Sequence, residues 1–164
     1  MSGPIKITDL LDPKKFDKHK DQLFHYFEKG GTWQALLGYD VDVMQMQYKK
    51  AYDLYQKADF KNAADAFSYL TMLNPYDYNY WMGLGISKQS DRQYEEAIVS
   101  YTSATAMEPE NPLPHLHLAQ CFYALNVRES AVEHLNQAIQ IAGSRPEYHE
   151  IRLKAQAILK HLPK

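Results

Sequence analysis

The side chains best suited to metal binding or covalent chemistry in this chain are His115, His117 and Cys121, all within one apolar run. On a helix, residues two apart point to different faces, so His115 and His117 cannot grip one ion together. Cys121 sits beside Leu118 and Phe122 and reads as a small buried filler. Gly83-x-Gly85 lacks a third glycine and a preceding strand, so it reads as helix packing and not as a nucleotide loop. Glu95-Glu96 and Glu108-x-Glu110 read as solvated helix ends. No nucleophile, base and orienting group line up. The expectation is a non-enzyme with no cofactor and no bound metal.

Binding chemistry is better represented. The chain holds 13 tyrosines, and tyrosine is an amphipathic side chain that loses little entropy when a surface orders around a partner. Tyr48, Tyr52 and Tyr55 recur at i, i+4 and i+7, which is one stripe of a helix. Whether such a stripe binds or merely packs depends on the elements that carry it.

Those elements follow from a repeat. Trp81, Leu84, Gly85, Ala97, Tyr101, Ala104 and Pro109 match the spacing of the tetratricopeptide signature, with Lys88 where the pattern expects tyrosine. The pattern recurs about 34 residues away in both directions. Gly85 corresponds to Ala51 and Ala119, Ala97 to Ala63 and Ala131, Tyr101 to Phe67 and Leu135, Ala104 to Leu70 and Ala138. Small residues let antiparallel helices approach, and the large ones fill the space between them. The fold class predicted is all-α: three tandem helix pairs over residues 44–143, an N-terminal helical segment over 1–43, and a C-terminal capping helix over 144–164. A stacked array exposes apolar surface at its end unless such a helix covers it.

Local signals place the boundaries. Residues 1–11 are expected to carry little regular structure, with Ile5, Ile7, Leu10 and Leu11 as weak anchors. Asp12-Pro13 starts a helix, on which Phe16, Leu23, Phe24 and Phe27 share a face, and Gly30-Gly31 ends it. Thr32 caps a short turn that Gly38 closes. Asp40 and Asp42 are both suited to cap the first repeat. Turns are expected at Ala58-Asp59, near Ser90-Asp91 and near Asn126. Ser144 and Glu147 have the spacing of a capping box for the last helix.

In stacked pairs the first helices line the concave side. With Ala51, Leu84, Gly85, Leu118 and Ala119 assigned to packing, the groove positions are Tyr48, Tyr52 and Tyr55 in the first repeat. They are Asn79, Met82, Ile86 and Gln89 in the second, and Leu113, Leu116, Gln120 and Tyr123 in the third. Contiguous apolar surface of this kind marks an interaction site; the competing expectation is that the N-terminal segment folds back over it. Capture of a C-terminal carboxylate would need Lys, Asn and Arg in the groove, whereas the corresponding places hold Tyr48, Tyr52, Met82, Leu113 and His117. An extended apolar or proline-containing peptide fits better.

The formal net charge is −2, from 18 basic and 20 acidic residues, which gives no long-range pull toward nucleic acid or an anionic membrane. One cysteine precludes an internal disulfide and suits a reducing compartment. No signal peptide and no membrane-spanning run is expected.

Four stretches carry a family resemblance over nearly the whole chain: Phe27 to Leu37, the Tyr48, Tyr52 and Tyr55 run, Ala64 to Asp77, and Trp81 to Gly85. In them the sequence resembles the class II chaperones of type III secretion systems. The resemblance implies an all-helical bacterial cytoplasmic chaperone. It would hold hydrophobic translocator proteins before export by gripping a short, proline-bearing segment in the groove. The aromatic groove positions of that family fall on Tyr48, Tyr52 and Tyr55. Its members commonly dimerise through N-terminal helices, an expectation that rests here on Leu23, Phe24 and Phe27, and some co-regulate transcription. The segment before Phe16 has no counterpart, so no dimer geometry carries over. The other class of function open to a repeat array is that of a scaffold or assembly adaptor joining stable partners.

Overall fold

A computed structural model describes residues 7–162. Ten α-helices and one 3-10 turn account for its regular structure, with no strand among the described residues. The expected anchor Ile5 lies outside them. Helix α1 (Ile7–Leu10) is short; Leu10 is half-buried, but Leu11 is exposed and anchors nothing. Helix α2 (Pro13–Glu28) starts as its sequence dictates: the Asp12 side chain accepts from the Lys14 N–H at 3.0 Å, and Pro13 occupies the first turn. Gly30 ends it at φ +83°, and the Tyr26 ring occupies the space that a side chain at Gly31 would need. Thr32 caps α3 (Trp33–Leu36) by accepting from the Ala35 N–H at 3.1 Å.

Three helical hairpins follow: α4 (Val41–Gln56) with α5 (Phe60–Leu73), α6 (Tyr78–Ser90) with α7 (Tyr94–Met107), and α8 (Leu113–Ala124) with α9 (Arg128–Ala142). Asp40 alone caps α4, accepting from Val43, so the helix begins at Val41, ahead of the expected Met44. Asp42 lies inside the first turn, where its charge favours the helix N-terminus without capping it. The repeat reaches the backbone: Ala58, Arg92 and Asn126 all adopt φ near +60° at the same point of successive hairpins. The second turn is thus centred on Asp91-Arg92.

Each hairpin has its own core, and each core takes in residues of the helix that follows. Met44, Ala51, Phe67 and Leu70 pack with Tyr80 and Leu84. Ala97, Tyr101 and Ala104 pack with Leu118 and Cys121. Leu116, Ala119, Leu135 and Ala138 pack with Ala155 of the last helix. Lys88, the departure from the repeat signature, joins α6 to α7 by another route: its ammonium pairs with Glu96 at 2.6 Å and meets Gln93 Oε1 at 2.9 Å. Glu96 is therefore not merely a solvated helix end.

The array closes with a 3-10 turn (Pro146–Tyr148) running into α10 (His149–His161). The capping box expected from Ser144 and Glu147 does not form. No side chain caps the turn, and Gly143 at φ +51° and the Arg145 guanidinium on the Ile141 carbonyl finish α9 instead. Helix α10 covers the end of the stack through Ile151, Ala155, Ile158 and Leu159.

The N-terminal segment meets the repeats at α3. Phe27 and Trp33 pack with tilted rings, their centroids 4.9 Å apart. Trp81 donates from Nε1 to the Pro75 carbonyl at 2.7 Å. Trp33 and Trp81 line one hollow with Phe27, Met72 and Pro75.

Candidate functional site

Between helices α4, α6 and α8 lies an apolar cavity of about 230 Å³, whose wall residue Met82 is 5% exposed and is shared with the core of the second hairpin. Its walls are Tyr48, Tyr52 and Tyr55 of α4, Tyr78, Asn79, Met82, Gly83 and Ile86 of α6, and Leu113 of α8, with Phe67 of α5 behind them. Among the described residues, none of α1 or α2 lines it.

The stripe of three tyrosines is graded. Tyr52 is 47% exposed. Tyr48 is half-buried, edge-on to Phe67 at 5.6 Å and tilted against Tyr80 at 6.1 Å, and burial followed by the charges of Asp77 and Tyr52 pushes its hydroxyl pKa up. Tyr55 lies tilted against Phe60 at 5.4 Å. The Tyr48 phenol therefore stays neutral near pH 7, which suits an apolar trough.

Three wall residues, Phe67, Gly83 and Tyr78, are not among the positions expected from sequence. Phe67 reads as core from its repeat position, and it is core; yet the missing side chain at Gly83 lets its ring reach the trough floor. Glycine at a helix position whose neighbour is a large aromatic was the available signal. Tyr78 joins the wall from the start of α6.

The remaining expected groove residues divide three ways. Leu116 is 4% exposed and belongs to the core of the third hairpin with Ala119, Leu135 and Ala138; it does not face the groove, because α9 and α10 close on it. Gln89 and Gln120 are tied together, Nε2 to Oε1 at 3.1 Å. Gln89 Oε1 also accepts from the Tyr101 hydroxyl at 2.6 Å and lies 3.0 Å from His117 Nδ1. These amides stitch α6, α7 and α8 together. Tyr123 lies apart, in a hollow of about 330 Å³ with Ala157, Ile158, His161 and Leu162.

The histidines diverge as their spacing demands. His117 stacks on Tyr101 at 4.9 Å, and burial lowers its pKa to about 4. His115 faces His134, with Nδ1 atoms 3.1 Å apart. Cys121 is fully buried and burial pushes its thiol up to about 12, which leaves it unreactive near neutrality. Among the described residues no three His, Cys, Asp or Glu side chains converge, and no helix is long and apolar enough to cross a membrane.

The first expected dimer residues are also split by the structure: Leu23 is 5% exposed whereas Phe24 is 67% exposed. Phe27 is half-buried against Trp33.

Comparison with known proteins gives a consistent picture. A tetratricopeptide-repeat family model matches residues 89–157. The chain is 27% identical over 135 residues to low calcium response locus protein H of Yersinia pseudotuberculosis, covering 82% of this chain and 80% of that protein. It superposes on the type III secretion translocator chaperone SycD of Yersinia enterocolitica with a TM-score of 0.76 at 27% identity, over 80% of this chain and 98% of that one. The structure of PcrH in complex with the chaperone-binding region of PopB matches at 30% identity and a TM-score of 0.71, over 74% of this chain and 98% of that one. Repeat register, capping helix and likeness along nearly the full length of these proteins coincide, and the chain belongs to the tetratricopeptide-repeat chaperones of type III secretion translocators.

Proposed function

We propose that this protein is a bacterial cytoplasmic chaperone, without catalytic activity, that keeps a hydrophobic translocator of a type III secretion system soluble before export. It does so by holding a short extended segment of the translocator in the trough formed by Tyr48, Tyr52, Tyr55, Asn79, Met82, Ile86 and Leu113. The observation that carries this reading is the trough itself: an open apolar cavity between the first helices of the repeats, walled on one side by Tyr48, Tyr52 and Tyr55, with the Tyr52 ring 47% exposed. A folded chain gains by covering such surface, and an extended peptide with alternate apolar side chains fits its shape. That PcrH takes up the chaperone-binding region of PopB supports an occupant of the same kind.

The test is binding of a labelled peptide of the PopB chaperone-binding region, together with co-purification of a co-expressed translocator from a neighbouring gene. Removing one aromatic anchor from a peptide interface typically costs about 2 kcal/mol, a loss of some thirtyfold. Tyr52→Ala is therefore expected to lose about that much affinity while its helical content and Tm stay nearly unchanged, because Tyr52 is the most exposed of the three rings. A folded Tyr52→Ala variant that binds both partners normally would remove the trough from consideration.

A further inference from the structure

The apolar trough does not end at α4. Beyond Tyr48 and Asn79, which belong to both, it opens into a second cavity of about 560 Å³ with a different chemistry. Gln34, Gln45, Asn74, Asp77 and Asn79 supply its polar wall, and Val41, Met44, Tyr48 and Tyr80 the rest. No lysine, arginine or histidine lines it, and Asp77 is its one charge. Asn74 Nδ2 donates to Gln34 Oε1 at 2.9 Å, and Asn74 Oδ1 accepts from the Tyr76 N–H at 3.1 Å. Asp77 Oδ1 caps α6 by accepting from the Asn79 N–H at 2.8 Å; its other oxygen has no partner among the described residues. The carboxylate is close enough to raise the hydroxyl pKa of both Tyr48 and Tyr80, second to burial in each case.

A half-spent carboxylate, the side-chain amides of Gln45 and Asn79 and the rings of Tyr48 and Tyr80, with no cation to neutralise them, are the elements of a receptor for a cation. We propose that this cavity is the subsite for a basic side chain, lysine or arginine, carried by the client segment where it leaves the apolar trough past Asn79. The inference rests on the trough being the client groove and adds to it a charge requirement. The segment has apolar anchors on one side of Asn79 and a basic residue on the other. An apolar groove alone accepts many sequences, and a charge at one end fixes the direction in which the segment lies.

The experiment uses the full chain and the PopB peptide, with single lysines placed in turn at successive positions flanking its apolar part, each compared with alanine at the same position. At low ionic strength lysine at one flanking position is expected to bind about fivefold tighter than alanine, and the advantage should fade in about 0.5 M salt. Asp77→Asn removes the charge and keeps a side chain that caps a helix equally well. It should abolish the lysine advantage while leaving the alanine peptides and the Tm unchanged. No lysine preference at any position, or a preference that survives Asp77→Asn, overturns the proposal. Failure of the trough reading shows separately, as Tyr52→Ala having no effect on the alanine peptides. A second measurement needs no peptide. Nα-acetyl-arginine amide should shift the NMR signals of Asn79 and Tyr48 in the wild type, and its neutral citrulline counterpart should not. Equal shifts from the two would overturn the proposal as well.

Discussion

Gly85 and Tyr101 show how little latitude a helical hairpin leaves a single residue. A Cβ placed on Gly85 would lie 2.6 Å from Cε1 of the Tyr101 ring, and that ring is held from both sides, by His117 stacked on its face and Gln89 on its hydroxyl. It cannot swing away cheaply. Gly85→Leu is expected to cost roughly 1–3 kcal/mol or more, seen as a clear drop in Tm; an unchanged Tm would mean that α6 and α7 do not meet there. The same pocket sets a pH response. Burial, with Lys154 second, lowers His117 from 6.5 to about 4, and burial with His134 lowers His115. The unfolded chain thus takes up protons before the folded one does. Stability is full above about pH 6.5 and falls as the pH drops toward 4, by an amount on the order of 3 kcal/mol from His117. Urea midpoints measured across that range should fall with acidification, and His117→Gln should flatten the slope.

At the level of elements, α2 is the one long helix not enclosed by the hairpins. Its main helical neighbour is α1, and it meets α3 through Phe27, against Trp33, and Tyr26, whose hydroxyl donates to the Thr32 carbonyl at 3.0 Å. Leu23 is spent on internal packing, so of Leu23, Phe24 and Phe27 it is Phe24, 67% exposed, that is free to meet a second copy. Phe24→Glu is expected to reduce self-association in sedimentation without lowering the Tm, whereas Leu23→Ala should lower the Tm by a few degrees or more. A variant at Phe24 with an unchanged mass distribution would argue against this face as a contact. The elements themselves were legible in sequence wherever one residue type suffices: Asp12-Pro13, Thr32 and Asp40 cap as their positions demand. The last helix was read too simply, since Ser144 and Glu147 have the right spacing but Pro146 diverts the chain into a 3-10 turn. The groove was legible where hairpin geometry alone decides exposure, as at Tyr52 and Ile86. It was not legible where a later element covers a position, as α9 and α10 do to Leu116. Nor was it legible where side chains satisfy each other across the groove, as Gln89 and Gln120 do. The polar cavity beyond Asn79 draws its walls from three helices and a connecting loop, a convergence that no single stretch announces.

For the molecule as a whole, the repeats behave as a one-dimensional stack in which each unit leans on its neighbours. Helix α10 holds the last position through Ala155, Ile151 and Ile158 against Leu135 and Ala138. Truncation before Pro146 is expected to raise hydrogen exchange first in α8 and α9, with α4 and α5 protected much longer; uniform loss of protection would show that the stack melts as one unit. Optically the two ends of this stack are not equivalent. Both tryptophans of the chain, Trp33 and Trp81, share the hollow where the N-terminal segment meets the repeats, and none lines the trough. Intrinsic emission excited at the indole band is therefore a native gauge of that junction. It will redden when α3 lifts from the repeats, even while the helical signal stays constant, and it will barely register a peptide that settles among the tyrosines.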